Sequence, residues 1–333
     1  MNETCRTLPI PCGRRTATLV AALGLLLLPC AATAEKGGSG HYLPGSMASF
    51  IDGVPPAETF LARLNLVHYA GSIGADRPLP IGGVTALGAS ARSWGFGLTV
   101  LWRPCVDLGD RRSWAISGTL PVVLMDVSAD VQATLPGGPK ALIARSSTTN
   151  GLGDVVLMPL MLNYSVRPDF NVNFRVGFYA PSGSYEVGRL ANTGKNFWTV
   201  EPTVGLMYFG KKNGIEASAF VGADFNSENG DTSYHSGTQL QVDGTLAQHS
   251  SWLGGLAGGG LSAYYYQQVT DDSGSGATLG PLRGRTVGLG PALSFAGKVG
   301  DNDTIVELKW LHEVDTANRL QGDIIWLKAV YKF

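Results

Sequence analysis

From about residue 150 to its end the chain alternates apolar and polar positions one for one. Phe170, Val172, Phe174, Val176 and Phe178 share one parity, against Asn171, Asn173, Arg175, Gly177 and Tyr179. Leu240, Val242 and Leu246 oppose Gln239, Gln241, Asp243 and Thr245, and Val306, Leu308 and Trp310 oppose Glu307 and Lys309. Successive side chains of a strand point to opposite faces, so a period of two predicts strands with one apolar and one polar face. Such strands fall near 57–71, 94–106, 112–126, 151–166, 170–180 and 197–210. They continue near 213–225, 236–248, 252–270, 284–297, 302–312 and 322–333. The count is twelve, and the less regular stretch 72–150 leaves ten or fourteen open.

Alternation alone fits a soluble barrel with its apolar face inside as well as a membrane barrel with that face outside. Loop lengths separate the two. Short connections are expected at 298–301, 249–251, 210–213 and 167–169, and longer Gly/Ser/Asp-rich ones at 313–321, 271–283, 226–236 and 181–196. Tight periplasmic turns alternating with long external loops belong to outer-membrane barrels. Lys211-Lys212-Asn213-Gly214 reads as one such turn, with Asn-Gly supplying positive φ. The expected fold is therefore all-β: a transmembrane antiparallel up-and-down β-barrel of about 12 strands, with short periplasmic turns and longer extracellular loops. It should span 57–333. Segment 35–56, Gly/Ser-rich with Pro44, Pro55 and Pro56, reads as a periplasmic tail or a lumen plug.

The N-terminus agrees on the compartment. Arg14 and Arg15 precede the uncharged run Ala17–Leu28, Pro29 breaks it, and Ala32-Thr33-Ala34 supplies small residues for cleavage before Glu35. Residues 1–34 thus read as a cleaved signal peptide, too short in its apolar core to span a bilayer. Cys5, Cys12 and Cys30 leave with it, so the mature chain keeps Cys105 alone and forms no internal disulfide. Taking Arg6, Arg14, Arg15 and Glu3 from 25 basic and 26 acidic residues leaves 22 against 25. That balance gives no reason to expect a nucleic-acid partner. At the other end Ile325, Leu327, Ala329, Tyr331 and Phe333 share one parity. A last strand closing on Tyr331 and Phe333 is the expected insertion signal for the barrel-assembly machinery. Trp198, Tyr208, Trp252, Trp310, Trp326, Tyr331 and Phe333 read as the aromatic girdle at the headgroups of outer-membrane lipid.

Several stretches resemble a known family. They are Gly38–Gly45 (GSGHYLPG), Tyr179-Ala-Pro-Ser-Gly-Ser-Tyr185, Gly194-Lys-Asn-Phe-Trp198, and Asn226 leading to Asp231-Thr-Ser-Tyr234 and Ser236-Gly237. Tyr266-Gln-Gln-Val-Thr-Asp-Asp272, Gly290-Pro291, Asn318-Arg319 and Gly322 continue the series, while 84–150 matches weakly. The chain resembles the outer-membrane transporter family of the MetA (meta-cleavage) pathway of phenol degradation. The resemblance implies a monomeric barrel encoded near genes of aromatic catabolism, and it implies no binding residues.

Candidate chemistry lies on the polar parity. Arg175, Glu201, Glu216, Asp224, Asp243, Glu307, Lys309 and Lys328 are the expected lumen-lining charges. Packed together they would fill a small barrel; spread around water they would set selectivity. The histidines His41, His68, His235, His249 and His312 lack a nucleophile motif, and the acidic turns Asp271-Asp272 and Asp301-Asn302-Asp303 need no ion. No catalytic residue, metal or cofactor is expected. The reading is an outer-membrane channel for small, aromatic or hydrophobic solutes. A structural or adhesive barrel with a closed lumen is the alternative, and an outer-membrane hydrolase a weaker one. The mature protein should begin at Glu35 and fractionate with the outer membrane. N-terminal sequencing of membrane-extracted protein checks this; a soluble product or an acylated Cys30 contradicts it.

Overall fold

A strand in hydrocarbon needs partners on both edges, because no water is present to satisfy its free N–H and C=O groups. The computed structural model, which describes residues 39–333 except 107, 135–137 and 139, meets this demand by closing a ring. The expected signal peptide lies outside the described residues. The strands are β1 (Thr59–Ser72), β2 (Leu79–Ile81), β3 (Val84–Arg103), β4 (Arg112–Thr134), β5 (Lys140–Leu152), β6 (Val155–Arg167), β7 (Phe170–Ala180) and β8 (Thr199–Phe209). They continue as β9 (Ile215–Asn226), β10 (Glu228–Asn229), β11 (Tyr234–His235), β12 (Gln239–Trp252), β13 (Gly255–Gln268), β14 (Arg285–Val299), β15 (Asn302–Ala317) and β16 (Gln321–Lys332).

Twelve of them form the antiparallel ring β1-β3-β4-β6-β7-β8-β9-β12-β13-β14-β15-β16, and β16 returns to β1 from Leu61↔Lys332 to Ser72↔Gln321. Strands β5 and β6 follow one line along β4, interrupted at Gly153-Asp154. Val122–Thr134 of β4 pairs with β5, and Arg112–Thr119 pairs with β6. Only β6 goes on to pair with β7, so the β3–β4–β5 sheet stands taller than the rest of the wall. The irregular stretch 72–150 thus holds strands longer than their alternation indicated: β3 begins at Val84 and β4 runs to Thr134.

The expected parity places apolar residues outward. Leu246 is 62% exposed, and Trp94, Phe96, Leu98, Val242, Leu308 and Trp310 are exposed as well. Their polar neighbours Thr99, Gln241, Asp243, Glu307 and Lys309 are buried inside. A soluble barrel would invert this arrangement. One residue departs from the expected girdle: Trp326, between outward Ile325 and Leu327, faces the lumen and is 4% exposed.

Turn lengths also differ in two places. β12 runs on to Trp252 and turns at Leu253-Gly254, where φ of 47° and 75° suits a two-residue hairpin turn. The expected long loop 313–321 is instead the end of β15, a connection at 318–320 and the start of β16. The turn before β9 needs positive φ at Gly214 (67°), and Asn213 instead accepts from the Ile215 N–H (3.0 Å). The remaining long connections, 181–198, 227–238 and 269–284, lie at one end of the barrel. The first of these folds inward: Gly188 N–H donates to Gly82 O (2.6 Å), and Leu190 and Ala191 pack on the inner face of the tall sheet against Ala86, Ala89, Val127 and Val131.

Leu246→Arg places a cation midway along β12 against lipid, and should cost about 2–4 kcal/mol, whereas Leu253→Arg in the turn should cost at most about 1 kcal/mol. Urea titration in lipid vesicles measures both. Equal costs would contradict the outward register.

Candidate functional site

The lumen is the site, and residues 39–54 lie in it. With Pro44 and no alternation, this stretch has no strand pattern to offer the wall. Its regular element is one 3-10 turn at Phe50–Asp52, capped by reciprocal Ser49 and Asp52 contacts. The segment descends from the long-loop end, where the Lys195 ammonium donates to Ser39 (3.1 Å). It ends near the short turns, where Val54 packs on Leu101, Ala115 and Met161.

Inward charges of the wall grip this segment mainly through its backbone. Asp243 accepts from the N–H groups of Gly45 (3.0 Å) and Met47 (3.2 Å) and from the Tyr42 hydroxyl. Lys309 donates to Gly45 O (2.7 Å), Lys328 to Ser46 O (2.7 Å) and Arg175 to Asp52 O (2.9 Å). Trp326 donates its indole N–H to Pro44 O (2.9 Å). Glu216 accepts from Phe50 N–H (2.8 Å) and meets His249 (2.8 Å), while the Phe50 ring sits against Phe209 and His249. At the centre Asp52 takes Lys328 on both oxygens (2.8 Å each) and Arg63 on one (2.9 Å). Glu307 joins this cluster, 3.1 Å from Lys309 and 3.6 Å from Lys328, and accepts from Ser49. Five charges then meet, each with an opposite partner and all but Arg63 buried, which is the condition for burying ions at tolerable cost.

A second anchor sits at the break in the β5–β6 line. His41 bridges Asp154 (2.8 Å) and Thr199 (2.6 Å), stacked on Tyr179 and edge-on to Phe197. Burial alone would raise the Asp154 carboxyl. The hydrogen bonds from His41 and from the N–H groups of Gly183 and Lys195 outweigh it and hold the group below its usual range. Gly183 and Gly194 let the inward loop close here: a Cβ on either would fall within 2.7 Å of the other's backbone.

The eight charges expected from parity are all buried and inward. Six of them, Arg175, Glu216, Asp243, Glu307, Lys309 and Lys328, hold the segment. Glu201 accepts from Tyr179 (2.8 Å) and Thr203 (3.0 Å), and Asp224 accepts from Gln241 (3.1 Å), so these two brace the wall. Tyr331 and Phe333 face outward; the Phe333 ring lies 5.9 Å from Phe60, and its N–H donates to Phe60 O (3.1 Å). Sequence reasoning missed Asp52, Arg63, His41 and Asp154. Arg63 shares its parity with Leu61 and Asn65 and was open to the same argument; the other three lie outside any alternation.

The segment covers only part of the inner wall. Inward residues of β7–β9, β12, β15 and β16 are buried beneath it, whereas Asn65, Val67, Ser93, Gly95, Gly97, Ser117 and Thr119 of β1, β3 and β4 stay half-buried. That uncovered side is uncharged over these positions. It narrows at Leu101, Ala115, Met161 and Val54.

The family model described as "Putative MetA-pathway of phenol degradation" matches residues 75–329. The chain belongs to this family. The match takes in the tall β3–β5 sheet and leaves the lumen segment outside. No curated protein matches in sequence. An outer membrane channel from Pseudomonas putida F1 is similar in structure at TM-score 0.63 and 15% identity, covering 88% of this chain and 100% of that one. The beta domain of the Bordetella autotransporter BrkA gives TM-score 0.47 and 10% identity over 83% of this chain and 100% of its own. This family member is a closed outer-membrane barrel.

Asp52→Asn leaves the Lys328 ammonium without its main counter-charge. It should lower unfolding free energy by about 3 kcal/mol and speed amide exchange at Ala48 and Ser49, whose N–H groups Asp52 accepts (3.0 and 3.3 Å). Urea titration with hydrogen exchange checks both; unchanged values would mean that the cluster does not hold the segment.

Proposed function

We propose that this protein is an outer-membrane channel for small hydrophobic molecules, aromatic ones included, and that solute passes along the uncovered β1–β3–β4 side of the lumen. The observation that carries this reading is the one-sided occupation of the lumen. A purely structural barrel has no need to gather most of its inward charges under a separate segment while the facing wall, apart from Arg63 near the short-turn end, is lined by Gly95, Gly97, Ser93 and Ser117. Apolar solutes avoid stripping water from fixed charges on such a wall, so it favours them over ions. Above it the inward loop packs Leu190 on Leu79, Ile81, Val127 and Val131, so that end of the uncovered side is covered by apolar side chains. The family description names phenol degradation, and phenols are small aromatics with a largely apolar ring and one hydroxyl.

Residues 39–54 act as a plug that narrows the passage from its charged side. The ring is complete within one chain, which supports a monomer, and the outward Tyr331–Phe333 end supports recognition of the last strand by the barrel-assembly machinery. We assign no catalysis. The hydroxyl–His–carboxylate arrangement Thr199–His41–Asp154 serves as an anchor, since Thr199 is fully buried and donates its proton to Asn226 (2.6 Å).

Gly97→Trp and Ser117→Trp should block the uncovered side and reduce phenol and toluene entry into vesicles several-fold without loss of folded barrel. Removal of residues 39–54 should raise entry and conductance. If none of the three changes solute entry, the barrel is a structural one with a closed lumen.

A further inference from the structure

Outside the barrel, at the long-loop end, the wall changes character within two residues on four strands, β3 and β4 to one side of β1, and β16 and β15 to the other. On β3 outward Trp94 gives way to Arg92 and Ser90, and on β4 outward Leu124 gives way to Asp126 and Ser128. On β16 and β15 Ile325 and Trp310 give way to Asp323 and His312. Because the tall β3–β5 sheet rises beside the lower β15–β16–β1 wall, these polar positions line a recess of about 790 Å³ on the outer surface. Below it the His68 and Trp94 rings lie 4.4 Å apart and Trp94 and Trp310 face lipid, which sets this level at the membrane boundary. A recess there opens to the headgroups of the outer leaflet.

The lining combines one arginine, one histidine and two carboxylates with several hydroxyls. Its carboxylates are engaged by the wall: Asp126 accepts from Thr148 (2.6 Å), and Asp323 accepts from the Trp310 indole (2.9 Å) and meets His312 (3.0 Å). The ion-paired arginines among the described residues are Arg63, Arg189, Arg283, Arg285 and Arg319. Arg92 is not among them; it is exposed and lines the recess directly across the ladder from Asp126, with Ser90 and Ser128, whose hydroxyls are 2.9 Å apart, beside it. A guanidinium is a strong bidentate donor to phosphate, and hydroxyls with spare carboxylate lone pairs suit sugar hydroxyl groups.

We propose that this recess binds the phosphorylated saccharide headgroup of an outer-leaflet glycolipid, with Arg92 on the phosphate and Asp126, Ser128 and Asp323 on the sugar. The acyl chains of that lipid continue downward over Trp94 and Leu124, so the site extends the lipid-facing surface without a break. Its occupant holds the tall sheet at the membrane surface and lies outside the solute path, so the inference stands apart from the channel reading.

The test uses the full mature protein in nanodiscs with fluorescent rough-type lipopolysaccharide as probe, and phosphatidylglycerol as an anionic competitor without sugar. Arg92→Gln should weaken lipopolysaccharide binding about tenfold, the scale of one lost charge-assisted contact. Ser128→Ala should weaken it less, and Lys298→Gln at the opposite end should leave it unchanged. Heat-modifiable mobility verifies that each variant is folded, as expected for exposed positions. Equal binding by wild type and Arg92→Gln, or displacement by phosphatidylglycerol as effective as by unlabelled lipopolysaccharide, would overturn the proposal.

Discussion

The pairing of β1 with β16 is the constraint from which the rest of this structure follows. A wall without free edges is the condition for placing strands in hydrocarbon, and twelve pairings from Leu61↔Lys332 to Ser72↔Gln321 provide it. Closure at twelve strands sets a lumen wider than wall side chains readily fill, since eight strands already leave just room for them. The interior must then be wet, or something else must enter. Here the chain's own N-terminal segment enters, and the inward charges take their partners from it.

That segment explains why ions can be buried inside the barrel at all. Lys309 and Lys328 would be expensive alone in so dry a place, and Glu307 cannot satisfy both. Asp52 and the carbonyls of Gly45 and Ser46 complete the set. In the other direction, a stretch without secondary structure leaves its backbone groups unsatisfied, and Asp243, Glu216, Arg175 and Trp326 supply the missing partners. Wall and segment each solve the other's problem. Because most of these contacts sit on one side, the opposite side is left half-open with Arg63 as its charge near the short turns, and the proposed passage for apolar molecules rests on that asymmetry.

Much of this was legible in the chain. Alternation such as Phe170–Tyr179 gives the wall its strands and separates lipid-facing from lumen-facing positions, because the period of two holds between bulges such as that at Leu157–Leu160 of β6. All eight charges on the polar parity lie inside for that reason. Alternation was silent where geometry departs from it. The β15–β16 connection read as a long loop because Asp315, Thr316 and Asn318 are turn-rich, yet pairing with β14 carries β15 through Ala317. Trp326 read as girdle from its residue type, though its parity with Lys328 already placed it inside. Segment 39–54 has no period, so neither its path through the lumen nor the partners Asp52 and His41 offer could be read before the fold brought them together.

The central claim is that the segment covers one side of the lumen and leaves the other open. Single-cysteine variants in a Cys105→Ser background report on it directly, through their rates of reaction with a small membrane-impermeant thiol reagent. Cysteines replacing Ser93 and Ser117 on β3 and β4 should react readily, while cysteines replacing Ser218 and Ser262 on β9 and β13 should stay protected until residues 39–54 are removed. Equal rates on the two sides with the segment in place would contradict the account.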